Sequence, residues 1–310
     1  MSPFHIANAP CSWGTLEFEG LSGERIEYTQ MLDELVATGY TGTELGDWGF
    51  MPTTPAGLAA ELKRRQLTLI GAYVPVPLAG TDATIAPAIA HAQRTAELLA
   101  HTAQLLGQTH QPLLILADEN GSDAYRTSHA GRITTPTSDT LMHQAATVAN
   151  RAAHAVHAHS GLRTAFHHHC AGVVETSDEI RRFMHHTDPT LLGLVFDTGH
   201  YLFGSGSNTT NLVDALTELA PRLRLVHFKD CSAQVADQTR RSALDYFAAL
   251  KAGIFCELGH GAVPFADVLA TLKALSYDGW IVVEQDVLPG MGAPRESAAR
   301  NREFLRRLGV

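Results

Sequence analysis

Eight short apolar runs, each followed by a stretch with helical spacing, alternate along the 310 residues. The runs are Phe4 to Ala9, Tyr40 to Leu45, Leu67 to Val74, Leu113 to Ala117, Leu162 to His168, Leu192 to Asp197, Leu223 to Phe228 and Trp280 to Glu284. Helical patterns follow at Glu24 to Ala37, Pro55 to Arg65, Thr84 to Leu106, Ser138 to His159, Ser177 to His186, Asn211 to Leu219, Phe265 to Leu275 and Pro294 to Leu308. Strands separated by helices pair in parallel, because the helix carries the chain back across the sheet. A count of eight in one chain of this length predicts an α/β fold of the single (β/α)8 TIM barrel type rather than an open doubly wound sheet. No G-x-G-x-x-G follows the first run, which weighs against a dinucleotide-binding sheet. No Pro-rich or Ser-rich linker divides the chain, so one barrel domain is expected over residues 1–310.

A barrel of this kind builds its site at the carboxyl ends of its strands. The residues closing the apolar runs are therefore the informative ones. Strand two closes on Thr43-Glu44-Leu45-Gly46 and strand five on His167-His168-His169. Strand six closes on Asp197-Thr198-Gly199-His200, strand seven on His227-Phe228-Lys229-Asp230, and strand eight on Glu284-Gln285-Asp286. Asp197, His227 and Glu284 bring two carboxylates and an imidazole to three successive strand ends. Such mixed ligation suits one divalent ion, Mn²⁺ or Co²⁺ ahead of Mg²⁺ or Zn²⁺. A fourth ligand is expected from strand five, where His167 and His169 share one face and His168 points the other way. The remaining histidines among the seventeen, such as His91, His101, His143, His154, His157 and His159, fall in helical patterns and are read as solvent-facing.

Composition narrows the partners. A formal charge of −9 opposes long-range attraction to nucleic acid or an anionic membrane. No apolar stretch reaches the roughly 18 residues of a spanning helix, and the start MSPFHIANAPCSWG lacks a basic, apolar leader. Four cysteines without a C-x-x-C pair fit a reduced, cytoplasmic setting. The sequence leaves the oligomeric state open, a homo-oligomer included.

The strand-end motifs resemble those of the xylose isomerase-like barrel superfamily of sugar phosphate isomerases and epimerases, and within it the inosose dehydratase group. The resemblance rests on Tyr40 to Gly46, Phe166 to His169, Val195 to His200, Val226 to Asp230 and Val283 to Asp286, in the same order over nearly the whole chain. Ser242 to Phe255, followed by Glu257-Leu258-Gly259-His260-Gly261, is also similar in layout to the dehydratases. The resemblance implies a ligand set of Glu, Asp, His and Glu from strands five to eight. Asp197, His227 and Glu284 match the last three. The first falls on His167, a departure from glutamate, with His169 and Glu175 as the other candidates. The start, Ala9-Pro10-Cys11-Ser12-Trp13-Gly14, is similar to relatives whose substrates are not assigned.

Enzymes of this type share proton removal next to a carbonyl, aided by a divalent ion. The implied substrate is a small keto-polyol or sugar. Dehydration of a keto-inositol stands ahead of isomerisation or epimerisation of a sugar or sugar phosphate. An apurinic endonuclease-like hydrolase and a non-catalytic sugar-binding protein are the remaining alternatives. Glu284 is expected to face the reacting carbon, His200 and His169 to transfer protons, and Lys229 to hold a hydroxyl or assist its departure. Glu44, Trp13 and Glu175 are the expected substrate contacts.

Overall fold

The computed structural model describes residues 4–14, 26–119, 121, 123–206, 209–288 and 292–310, without the side chains of 209–211. Eight parallel strands close into a barrel: β1 (His5–Asn8), β2 (Gly42–Glu44), β3 (Thr68–Val76), β4 (Leu113–Asp118), β5 (Thr164–His167), β6 (Leu192–Asp197), β7 (Leu223–Phe228) and β8 (Trp280–Val283). Each strand pairs with its sequence neighbours among the eight, and β1 closes the ring on β8. The expected strands are all present, with β6 and β7 at the expected limits.

Helices return the chain outside the barrel at the expected places. The first described one is Tyr28–Thr38; the expected start at Glu24 lies outside the described residues. Local chemistry sets the ends of several. Thr54 caps Pro55–Lys63, with proline at the first position, where no backbone donor is needed. The long helices Asp82–Leu106 and Asp139–Ser160 stop at Gly107 (φ 65°) and Gly161 (φ 74°), both left-handed, as a glycine stop requires. Ser177–His186 opens on a reciprocal cap between Thr176 and Glu179. Four helices were not anticipated: Ala124–His129, Thr198–Gly204, Ala233–Ser242 and Tyr246–Lys251. They occupy the loops after β4, β6 and β7, together with a short antiparallel ribbon pairing Asp230–Cys231 with Phe255–Cys256. These elements are short or weakly apolar, so periodicity does not mark them.

Strand parity divides the core. Leu194, Phe196, Val226, Phe228, Ile281 and Val283 pack outward beneath the helices. Ala165, Val195, Leu225 and Val282 turn inward and fill the barrel with Ala7, Ala9, Ile70 and Ile115. Side chains alternate, so the next inward position lies two residues on. On these four strands that position is His167, Asp197, His227 and Glu284. The barrel's apolar plug is thus the floor of a polar site.

Candidate active site

One ligand atom from each of His167, Asp197, His227 and Glu284 lies within 4.8 Å of the others. His167 Nε2 stands 3.5 Å from Asp197 Oδ2, and His227 Nδ1 stands 3.3 Å from Glu284 Oε1. All four residues are buried or nearly so. Both nitrogens of His167, Asp197 Oδ2 and His227 Nδ1 are buried without a hydrogen-bond partner. Leaving several buried polar atoms unpaired costs about 1–3 kcal/mol each. Their convergence on one point is the arrangement a cation would satisfy, so the residues fit the divalent ion expected from sequence.

The two motifs at β6 and β7 interlock, which explains their residue types. Asp197 ends β6 and caps the helix Thr198–Gly204, its Oδ1 accepting from the His200 amide at 2.7 Å. That leaves Oδ2 to face the site. Thr198 Oγ1 donates to the Lys229 carbonyl at 2.8 Å and accepts from the Lys229 amide at 3.1 Å. A Cβ at Gly199 would stand 2.8 Å from Lys229 Cγ and 2.9 Å from its carbonyl oxygen, so only glycine lets the turns approach. Asp230 then gathers the amides of Cys231, Gly259, Gly261 and Val263 at 2.8–3.0 Å, folding the following loop against β7.

Charges at the site are mutually paired. Lys229 Nζ is buried 3.2 Å from Glu284 Oε2 and 3.2 Å from each Asp286 oxygen, with the Phe255 ring 4.7 Å away. Burial alone would lower the Lys229 pKa, but Asp286 and Glu284 hold it well above the usual lysine value. Burial likewise pushes Glu284 up, and the opposing charges of His227 and Lys229 override it, keeping the carboxylate ionised. His227 donates from Nε2 to Glu44 Oε1 at 2.9 Å. Burial disfavours its cation, yet Glu284 and Glu44 raise its pKa to about 10.

The other residues singled out from sequence take varied places. His200 accepts the Cys170 amide on Nδ1 at 3.1 Å, so its proton sits on Nε2; its ring packs 4.5 Å from Phe255. Burial, then Lys229, keeps His200 neutral. His168 turns away from the site, as parity requires, and accepts the Asp197 amide at 3.3 Å. His169 does not join the four: its ring nitrogens face the carbonyls of Cys170 (3.0 Å) and Asp118 (2.8 Å). Glu175 also stays outside, its two oxygens accepting from the amides of Gly131 (2.7 Å) and Ala171 (2.8 Å). Burial pushes its pKa up to about 7. Trp13 is 2% exposed and donates its indole N–H to Glu34 at 2.9 Å, which pins the segment after β1 to the first helix. His260 is exposed on its loop, and His101, His143, His154, His157 and His159 are exposed on helices.

Sequence reading missed the Arg126–Glu179 pair that anchors the loops after β4 and β5, at 2.7–2.8 Å and almost fully buried. It also missed Tyr246 and Phe255, which pack beside His200 from the irregular segment after β7. A capping box at Thr176-x-x-Glu179 was legible; its arginine partner, 53 residues away, was not.

Fold and strand ends together define a barrel of the enzyme-bearing (β/α)8 class with a cluster of candidate metal ligands on β5 to β8. The chain belongs to the xylose isomerase-like TIM barrel family, whose profile matches residues 32–308. An inosose dehydratase of Geobacillus kaustophilus (strain HTA426) is 30% identical over 311 residues, covering 99% of this chain and 96% of that protein. In fold, the chain is similar to the 3-keto-D-glucoside 4-epimerase of E. coli, with TM-score 0.66 and 15% identity over 99% of both chains. It is also similar to the D-psicose 3-epimerase of Clostridium cellulolyticum H10, with TM-score 0.68 and 14% identity over 98% of this chain and 99% of that one. Among the described residues no helix is long and apolar enough to cross a membrane.

Proposed function

We propose that this chain is a divalent-metal-dependent lyase that removes water from a keto-polyol, with a keto-inositol as its substrate class. The observation that carries the reading is the convergence of ligand atoms of His167, Asp197, His227 and Glu284 within 4.8 Å, with unpartnered buried atoms on the first three. His167, rather than His169 or Glu175, supplies the strand-five donor. Two imidazoles and two carboxylates suit Mn²⁺ or Co²⁺, with Zn²⁺ and Mg²⁺ as alternatives. When bound, such an ion supplies Lewis-acid stabilisation of the negative charge that develops on a substrate carbonyl oxygen.

The chain's own residues do the rest. Glu284 is ionised and takes the proton next to the carbonyl. Lys229, a buried cation, gives a proton to the departing hydroxyl, so that water leaves and a carbon–carbon double bond conjugated to the carbonyl remains. The two groups lie 3.2 Å apart, and a proton passed from Glu284 to Lys229 restores both. His200, protonated on Nε2, donates a hydrogen bond to a substrate oxygen. Trp13, Glu175 and His169 are assigned to the frame around the site, because their polar atoms are already engaged.

The test is incubation with keto-inositols and keto-hexoses in Mn²⁺ or Co²⁺. A rise in enone absorbance is expected. A new sugar formed without loss of water would replace the lyase with an epimerase or isomerase. Metal analysis should find about one ion per chain; several would favour an endonuclease-like cluster, and none a sugar-binding protein.

A further inference from the structure

The geometry points to Glu44 as the residue that fixes the tautomer of His227 and so presents its Nδ1 to the ion, a positioning role that rests on the metal reading above. Glu44 ends β2 and His227 lies on β7, 183 residues apart in sequence, yet their side chains meet at 2.9 Å across the barrel mouth. Glu44 is 2% exposed and His227 1%. The other imidazole nitrogen, Nδ1, has no hydrogen-bond partner and points to the side where Glu284 stands.

A neutral imidazole carries one proton, and only the bare nitrogen has a lone pair to offer a metal. A carboxylate against Nε2 holds the proton there. The reverse tautomer would set a lone pair against a carboxylate oxygen in a buried site, with nothing to satisfy either. When an ion displaces the second proton, Nδ1 is therefore the nitrogen laid bare, and the negative charge on the far side of the ring makes it a stronger donor. Glu44 thereby acts through His227 instead of touching substrate, which revises the contact expected from sequence. Its placement follows from β2. Gly42, the previous inward position, lies under Trp280 and Ile70, where a Cβ would stand 2.7 and 2.8 Å from them. The β2–β3 register then shifts between Thr43 and Glu44, at the barrel rim.

The experiment is calorimetric titration of Zn²⁺ into metal-free wild type, Glu44→Ala and Glu44→Gln, with imidazole ¹⁵N NMR of the Zn²⁺-loaded proteins. Glu44→Ala should weaken Zn²⁺ binding about 10–100-fold. Glu44→Gln keeps the size and a carbonyl acceptor, so it should recover part of the loss and carry the test if the alanine variant fails to fold. In the wild type the His227 proton should remain on Nε2. Zn²⁺ affinity unchanged in both variants, with KM for a keto-inositol raised, would make Glu44 a substrate contact and overturn the assignment. A wild type that takes up no Zn²⁺ would overturn the metal reading itself, and this role with it.

Discussion

Replacing Arg126 with methionine tests how the loops around the site are held. The guanidinium donates to both oxygens of Glu179 at 2.8 and 2.7 Å and, from Nε, to the Gly172 carbonyl at 2.7 Å. Glu179 also accepts the amides of Thr137, Glu175 and Thr176 at 2.7, 3.1 and 2.9 Å. Methionine keeps much of the aliphatic stem and leaves a buried carboxylate without its cation. Breaking one side of such a pair costs about 3–5 kcal/mol. A second route to the size runs through protonation. Burial raises the Glu179 pKa, but Arg126 and the amides hold it down to about 2 against an ordinary 4.5. That difference corresponds to about 3 kcal/mol of stability, in the same range. Because the folded value is depressed, this stability is present above pH 4.5 and is lost as pH falls towards 2. By pH 3 about 2 kcal/mol of it should be gone.

Urea unfolding of wild type and Arg126→Met at pH 7 and pH 3 is the assay. The variant should be about 3–5 kcal/mol less stable at pH 7, with a smaller gap at pH 3. Other acid-labile groups are common to both proteins and cancel in the difference. A gap below about 1 kcal/mol at pH 7, the range of an exposed pair, would refute the argument, and so would a gap that does not narrow with acid. The double variant Arg126→Met/Glu179→Gln should recover part of the loss, since it buries no unpaired charge and keeps an acceptor oxygen for the amides.

Three further outcomes are expected. His167→Ala should lose the ion with the barrel still folded, as should Asp197→Ala, whereas His169→Phe should keep the ion and lose about 1–3 kcal/mol from the one carbonyl that the single ring proton satisfies; metal content and unfolding measured on the same samples check this, and the opposite pattern exchanges the two roles. Gly199→Ala should cost about 1–3 kcal/mol by forcing β6 and Lys229 apart, and an unchanged melting temperature would show that the turns yield. Acidification should reduce activity, and excess metal should partly restore it: with His227 held up to about 10 by Glu284 and Glu44 against burial, an ion must displace a proton, so affinity rises with pH through the neutral range. Profiles at two metal concentrations test this, and an acid limb that stays in place points to a proton-transfer group instead.

The barrel and the strand ends that carry its site were legible along the chain. Both rest on periodicities that are local. Eight alternations of strand and helix require parallel pairing, and the two-residue alternation within a strand ties Ala165, Val195, Leu225 and Val282 to the site residues two places on. The Asp-Thr-Gly-His segment was legible as a strand end, while the short helix that Asp197 caps was not. Strand five was half legible: parity separated His168 from its neighbours but allowed His167 and His169 equally. The strand ends at His167, and past that point the backbone leaves the pleat, so alternation no longer says where His169 points. The remaining contacts exist only in the closed barrel. Glu44 reads in sequence as a polar group at a strand end and becomes the partner of His227 only when the barrel closes through β1 and β8 and brings β2 within reach of β7. Arg126 carries no local mark in the sequence and is buried only because Glu179, held by the amides of Thr137, Glu175 and Thr176, offers it a partner. Which atoms at the mouth are satisfied and which are left to a ligand depends on contacts between residues tens to hundreds of positions apart, and no local pattern in the chain encodes those.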